Sequence, residues 1–218
     1  MSVAECNLDL NFVVDSSGSI EFDSPLNWGI MLQFIANVTR QFTIGPNDVQ
    51  VSFVIFGTTA RVEWGLTRYQ DKNSLINAIL RVAYLGNEER TNLNDALILT
   101  RTEIFASGRG TRAGAIKATI ILTDGIDNIP EEGTPLTLQN AAALKQAGIV
   151  LYAIGIGDSV DRPRLLQIVS NQDDYYQVDD FNALGSLLGK LGTGFCVTTP
   201  APAPGIRRHF IVLVLRFW

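Results

Sequence analysis

Residues 12–20 of this 218-residue chain read Phe-Val-Val-Asp-Ser-Ser-Gly-Ser-Ile, and this stretch decides the fold. The apolar run is typical of a buried strand, and it ends at a carboxylate, Asp15. Ser17 and Ser19 follow at two-residue spacing around a glycine. All three side chains offer oxygen, the ligand type that hard cations such as Mg2+ prefer. The stretch therefore predicts a strand that leads into a cation-binding loop.

Two further oxygen donors lie far away in the sequence. Asp124 ends a second apolar run, residues 120–124, and Thr91 precedes a predicted helix that Asn92 or Asn94 can cap. In an open doubly wound sheet, ligands bind beyond the carboxyl ends of the strands, where the strand order reverses. If the two apolar strands are neighbours across that reversal, Asp15 and Asp124 face one crevice, and the Thr91 loop can reach it.

Short apolar runs alternate with amphipathic helical patterns along the chain. The predicted strands are residues 8–14, 49–56, 60–64, 116–123, 149–156 and 175–178. The predicted helices are residues 26–42, 71–83, 93–105, 137–146, 161–169 and 181–191. The turn between the second and third strands is too short for a crossover, so these two strands pair antiparallel. The alternation implies an α/β fold with a mainly parallel sheet and helices on both faces.

The oxygen-bearing motifs together resemble a known family. Asp15-x-Ser17-x-Ser19, with Thr91 and with Asp124 in Thr-Asp-Gly, is similar to the metal-ion-dependent adhesion site of von Willebrand factor type A domains. The resemblance covers about residues 8–191. It implies a Rossmann-like, doubly wound, six-stranded sheet in the order 3-2-1-4-5-6, with one antiparallel edge strand.

The resemblance also implies a role for each residue of the motif. Ser17, Ser19 and Thr91 would give hydroxyl oxygens to Mg2+, or to Mn2+ or Ca2+, and Asp15 and Asp124 would bind largely through water. A carboxylate of a partner protein would fill an open position on the ion. The chain is accordingly expected to be an extracellular, matrix-associated adhesion module of the collagen- and matrilin-like kind.

The residues before Thr91 depart from the family pattern, which usually has small residues there. Glu88 and Glu89 stand at this place, where they would either add a ligand or repel an acidic partner. Asp127 and Asn128 follow Asp124 and are primarily loop residues, with at most an indirect role at the ion.

The two cysteines, Cys6 and Cys196, flank almost the whole predicted domain, residues 6–196. This placement favours a disulfide that joins the two ends of the domain in an oxidising compartment, and terminal disulfides also occur in the extracellular relatives; the alternative is two unrelated buried thiols. Residues 197–205 form a Pro/Thr/Ala-rich linker. Residues 206–218 form a short tail whose apolar run is too short to span a bilayer; it is either a truncated membrane-spanning segment or out-of-frame sequence.

Other features bear on the compartment and the class of function. No secretory signal follows Met1, so a secreted protein would require an incomplete N-terminus here. The sequon at Asn37 permits glycosylation. The net charge of −5, with no basic cluster in the body of the chain, argues against a nucleic-acid partner.

Two alternatives to an adhesion module follow from the sequence. An intracellular A-type domain that serves in assembly is favoured by the missing signal and disfavoured by the terminal cysteines. A metal-dependent phosphoryl hydrolase would want a second carboxylate where Ser17 stands. The only histidine, His209, lies in the tail, so the domain offers no Ser-His or Cys-His pair, and no enzymatic activity is expected.

Overall fold

The computed structural model describes residues 6–86, 90–125 and 133–194, and within these ranges six strands form one sheet. The strands are β1 Leu8–Asp15, β2 Val49–Phe56, β3 Ala60–Trp64, β4 Ile116–Thr123, β5 Ile149–Ile156 and β6 Tyr175–Val178. Their order is β3-β2-β1-β4-β5-β6, with β2 and β3 antiparallel and the other neighbours parallel. The predicted fold class and strand order are confirmed.

Helices cover both faces of the sheet. They are α1 Asn27–Arg40, α2 Lys72–Ile79, α3 Leu93–Leu99, α4 Gly133–Gln146, α5 Arg162–Ile168 and α6 Leu188–Gly194. A π-helical turn, Thr100–Ile104, continues α3, and a 3-10 helix, Phe181–Leu187, precedes α6. The sheet therefore carries a hydrophobic core on each side.

The central strands are buried along most of their length because both of their faces are covered. Phe12 and Val13, neighbours on β1, belong to opposite cores and are fully buried. Phe12 packs with Phe53 of β2 and with the α1 side, whereas Val13 packs with Val54 and the α3 side. This alternation fixes the register of β1 and thereby the position of Asp15 at its end.

Several predicted helix ends are shifted in the structure. The helix predicted to end at residue 83 ends at Ile79. Beyond it, the Val82 carbonyl accepts a hydrogen bond from the indole of Trp28 at 2.9 Å, outside the helical pattern. The helix predicted over residues 93–105 becomes π-helical at Thr100, whose hydroxyl bonds both Ala96 and the buried Asn11. Local pattern does not encode these tertiary contacts.

The ends of the predicted domain fall partly outside the described residues. Cys6 lies against the core just before β1, but Cys196 is not among the described residues, so the disulfide stays a prediction. The same holds for the linker, residues 197–205, and the tail, residues 206–218. In the described ranges, none of the helices has the length and apolar character needed to cross a bilayer.

Candidate metal centre

The strand order brings the two predicted carboxylates to one crevice. Asp15 is the last residue of β1, and Asp124 directly follows β4. These strands are parallel neighbours at the centre of the sheet, where the chain order reverses. Such a reversal leaves a crevice at the carboxyl ends of the strands, which is the ordinary ligand position in this architecture.

Hydrogen bonds link the Asp-x-Ser-x-Ser loop and Asp124 across the crevice. Asp15 Oδ1 accepts a hydrogen bond from the Ser17 amide at 2.9 Å. The hydroxyls of Ser17 and Ser19 lie 3.1 Å apart, and Ser19 donates to Asp124 Oδ1 at 2.8 Å. Four of the five predicted ligand residues are therefore linked in one cluster across the crevice.

Thr91, the fifth predicted residue, faces the same crevice from the start of α3. The next residue, Asn92, fixes this loop: its amide donates to Gly57 O at 2.8 Å, and its side chain caps α3. A Cβ atom placed on Gly125 would lie 3.6 Å from Thr91 Oγ1 and 3.8 Å from Ser19 Oγ. Both hydroxyls thus border the same glycine, whose missing side chain leaves the crevice open.

Burial and mutual repulsion disfavour the ionised carboxylates. Desolvation, with the nearby charge of Asp124, raises the pKa of Asp15 to about 7, although hydrogen bonds from Ser17 and Thr123 act in the opposite direction. Burial also raises the pKa of Asp124, and the charge of Asp23 adds to this effect. A divalent cation in the crevice would favour the ionised form of both groups.

The chemistry and spacing of the donors fit a hard divalent cation. The cluster offers carboxylate and hydroxyl oxygens, which suit Mg2+, Mn2+ and Ca2+. Neighbouring ligands of an octahedral Mg2+ with bonds of about 2.1 Å are about 3 Å apart. The hydroxyls of Ser17 and Ser19, which would bind the ion directly, are 3.1 Å apart and already have this separation. In the described part of the chain, no three His, Cys, Asp or Glu side chains converge, so the donor set carries little negative charge.

Three residues that the sequence analysis did not single out hold the loop in place. The Thr123 hydroxyl donates to Asp15 Oδ2 at 2.6 Å. Tyr84 Oη donates to the Ser17 carbonyl at 2.7 Å, and Ser16 Oγ accepts from the Leu85 amide at 2.9 Å. Thr123 is recognisable as the neighbour of Asp124, but no local signal marks Tyr84, which is 67 residues from Ser17.

Replacing Tyr84 by Phe should loosen the metal-binding loop without disrupting the core. The change removes the bond to the Ser17 carbonyl and should cost about 0.5–1.5 kcal/mol of unfolding free energy. We expect a several-fold weaker affinity for Mg2+, measured by titration, because the backbone that carries Ser17 is less well fixed. Tyr69→Phe is the matched control; it should leave Mg2+ affinity unchanged, since Tyr69 packs on Trp64 away from this loop. An unaltered affinity in Tyr84→Phe would contradict this role.

Some predicted residues are not placed at the site. Glu88 and Glu89, and Asp127 and Asn128, lie outside the described residues, so their roles stay predictions. Asn37 lies on α1, where its side-chain oxygen accepts hydrogen bonds from Gln33 and Arg40. Its glycosylation also stays a prediction.

The chain is an open-sheet α/β domain. Its candidate cation site is a cluster of oxygen donors at the centre of the sheet, where the strand order reverses. The chain belongs to the von Willebrand factor type A domain family, whose model matches residues 9–190. The resemblance stated from the motifs is confirmed.

The relatives include extracellular matrix proteins. The chain is 30% identical over 193 residues to the human (Homo sapiens) collagen alpha-6(VI) chain, covering 88% of this chain and 8% of the relative. It is 32% identical over 200 residues to mouse (Mus musculus) matrilin-1, covering 90% of this chain and 38% of the relative. The chain thus spans only a small part of the length of these relatives.

A solved structure that contains a metal is also similar. Proximal thread matrix protein 1 from the mussel byssus, described with a zinc-occupied MIDAS motif, superposes with a TM-score of 0.80 at 27% identity. The match covers 88% of this chain and 46% of the mussel protein.

Proposed function

We propose that this chain is an extracellular adhesion module that binds a partner protein through a divalent cation held by Asp15, Ser17, Ser19, Thr91 and Asp124. The observation that carries the proposal is the hydrogen-bonded chain from Asp15 to Asp124, where the strand order reverses at the centre of the sheet. Mg2+ is the ion we favour, because the donors are hydroxyl and carboxylate oxygens, the ligand type of a hard cation. Mn2+ and Ca2+ are the alternatives that a titration would rank.

The donor set explains why such an ion would attract a partner. With only two carboxylates among its donors, the site compensates a divalent charge less fully than an acidic calcium cage does. When bound, the ion supplies an electrophilic centre for a carboxylate of the partner. Ser17 and Ser19 would hold the ion, and Asp15 would anchor their loop through its bond to the Ser17 amide. Charge attraction would add to the affinity and to the rate of association.

The matrix relatives and the mussel thread protein support an extracellular setting for this activity. The partner we propose is therefore a matrix protein, and the predicted terminal disulfide would suit the same compartment. Two alternatives remain as outcomes of a test. Free thiols at Cys6 and Cys196, found by mass measurement without reductant, would favour the intracellular assembly role. Turnover of a phosphate ester in Mg2+ would favour the hydrolase.

Mg2+ should raise the melting temperature of the protein, and Asp124→Ala should remove this effect. At a concentration about 100 times the dissociation constant, one bound ion stabilises the fold by about 2.7 kcal/mol. For a domain of this size, the gain corresponds to a rise of several degrees. Differential scanning fluorimetry in Mg2+ and in EDTA measures it. Equal curves in the two buffers would exclude the metal site.

Adhesion itself is tested on immobilised collagen fibrils and on a decellularised matrix preparation. We expect retention of the wild-type protein in Mg2+, release by EDTA, and no retention of Asp124→Ala. The control Arg109→Met, at an exposed position, should behave as wild type. If EDTA does not release the wild-type protein, and Asp124→Ala is retained equally well, a metal-mediated mechanism is contradicted.

A further inference from the structure

The most exposed large apolar side chains of the described residues stand beside the metal centre. Phe22 is 86% exposed and Leu26 is 68% exposed. Phe22 lies in the loop that follows Ser19, and Leu26 directly precedes α1. Leu136, 45% exposed in the first turn of α4, is at the same end of the sheet, whereas Ile116, 42% exposed, begins β4 at the opposite end. Phe22 and Leu26 thus offer exposed apolar surface next to the candidate cation site.

The loop that carries Phe22 is fixed by hydrogen bonds. The Phe22 amide donates to the Ser19 carbonyl at 3.0 Å, and the Ile20 amide donates to Ser17 O at 3.2 Å. Asn27, in α1, donates its side-chain amide to the Ile20 carbonyl at 2.8 Å, while the Ile20 side chain is fully buried. These bonds hold the backbone that carries Phe22 in place, which lowers the entropic cost of docking.

Acidic residues stand on either side of Phe22 in the sequence. Glu21 and Asp23 adjoin Phe22 in the sequence, and Asp23 is exposed. Neither carboxylate forms an ion pair with any residue in the described ranges. An exposed aromatic ring with two neighbouring acidic residues is complementary to a cationic side chain, through charge and through the ring itself.

We propose that Phe22 and Leu26, with Glu21 and Asp23, form a second contact surface for the partner that reaches the metal. The surface fits a protein segment that carries a Lys or Arg next to a bulky apolar residue, within a few residues of the metal-binding carboxylate. This inference rests on the proposed function, because the carboxylate is what brings the segment to the crevice. Arg fits better than Lys, since its guanidinium can stack on the ring and bond a carboxylate at once.

The metal ion and the surface around Phe22 would recognise different features of the partner. A carboxylate alone is common on protein surfaces and selects few partners. A second surface of opposite charge preference, beside the ion, rejects segments that are acidic throughout and accepts those of mixed charge. Burial of the Phe22 ring at the centre of the contact would make it an energetic hot spot.

The test begins with random peptides displayed on phage, selected on the wild-type protein in millimolar Mg2+ and eluted with EDTA. We expect the enriched peptides to combine an Asp or Glu with a Lys or Arg beside an aromatic or aliphatic residue. The strongest of them, made synthetically, is then titrated against variants. Phe22→Ser should weaken its binding by about tenfold or more. The double variant Glu21→Gln, Asp23→Asn should weaken it less, and most at low salt.

Ile116→Ser is the matched control, an exposed apolar residue at the far end of β4, and it should bind the peptide as wild type does. The rise in melting temperature with Mg2+ should be the same in Phe22→Ser and wild type, which shows that the fold and the ion site are intact. Unchanged peptide binding in Phe22→Ser, or EDTA-eluted peptides without basic residues, would overturn this inference alone. If no peptide is eluted by EDTA, the proposed carboxylate capture fails, and this surface fails with it.

Discussion

Replacing Asp15 by Asn is expected to stabilise the metal-free protein at neutral pH and to abolish its response to Mg2+. The two effects have one cause. Asp15 is fully buried beside Asp124, so its ionised form is unfavourable without a cation. Asn keeps the acceptor for the Ser17 amide but carries no charge, and its amide can donate to the Thr123 hydroxyl.

The pH dependence of this effect follows from the pKa of Asp15, which is raised from 3.8 to about 7 on folding. Below about pH 4 the group is protonated in both states, and it costs the fold nothing. As the pH rises from 4 to 7, the unfolded chain releases the proton first, and the wild type loses stability relative to Asp15→Asn. Above pH 7 the loss is constant, at most about 4 kcal/mol for a shift of about three units.

Urea denaturation in EDTA at pH 5 and at pH 8 measures the difference. We expect the free energy of unfolding of Asp15→Asn to rise relative to that of the wild type between pH 5 and pH 8, by up to several kcal/mol. Asp173→Asn removes the same charge at an exposed position and should show no such trend. An Asp15→Asn protein less stable than wild type in EDTA at pH 8 would contradict the electrostatic account of the site.

Replacing Arg112 by Met is expected to be among the most destabilising substitutions in the domain. Arg112 bonds the buried Asp9 of β1 through its backbone amide at 2.9 Å and its Nε at 2.8 Å. Its Nη1 and Nη2 donate to the carbonyls of Pro46 and Leu8 at 3.0 and 2.9 Å. The guanidinium thus joins β1 to the loop before β2, at the end of the sheet opposite the metal centre.

Removing the guanidinium would leave Asp9 buried without its counter-charge, at a cost of about 3–5 kcal/mol. The midpoint of urea denaturation should fall accordingly, with the slope unchanged. Arg109→Met is the matched control, because its ion pair with Glu103, at 2.9 Å, is largely exposed and contributes below about 1 kcal/mol. The double variant Asp9→Leu, Arg112→Met should recover part of the loss. Equal losses in Arg112→Met and Arg109→Met would refute the role of the buried pair.

The sequence was most informative where one physical effect dominates. Strands β2, β3, β4, β5 and β6 have the predicted bounds, because apolar and β-branched runs bounded by turn residues leave little choice of element. β1 extends one residue further than predicted, to Asp15 itself. The position of the candidate site could be predicted from the strand ends, since parallel neighbouring strands must bring Asp15 and Asp124 to the same edge of the sheet.

What the sequence missed depends on contacts between distant segments. Tyr84 reaches Ser17 only because α2 ends early and the chain turns toward the β1 loop. Arg112 meets Asp9 across 103 residues, and neither position has a periodic or spacing signal. The π-helical turn after α3 coincides with the bonds of Thr100 to Asn11 and Ala96, in the interior of the fold. Such pairings need the tertiary structure to be recognised.

The central claim is that Asp15, Ser17, Ser19, Thr91 and Asp124 hold one divalent cation. Isothermal titration of Mg2+ into protein treated with chelator tests it most directly. We predict saturable binding of about one ion per chain in the wild type, as for a single site. Asp124→Ala should bind none at the same concentrations, while Arg109→Met should match the wild type. Absence of binding in the wild type, or undiminished binding in Asp124→Ala, would contradict the account.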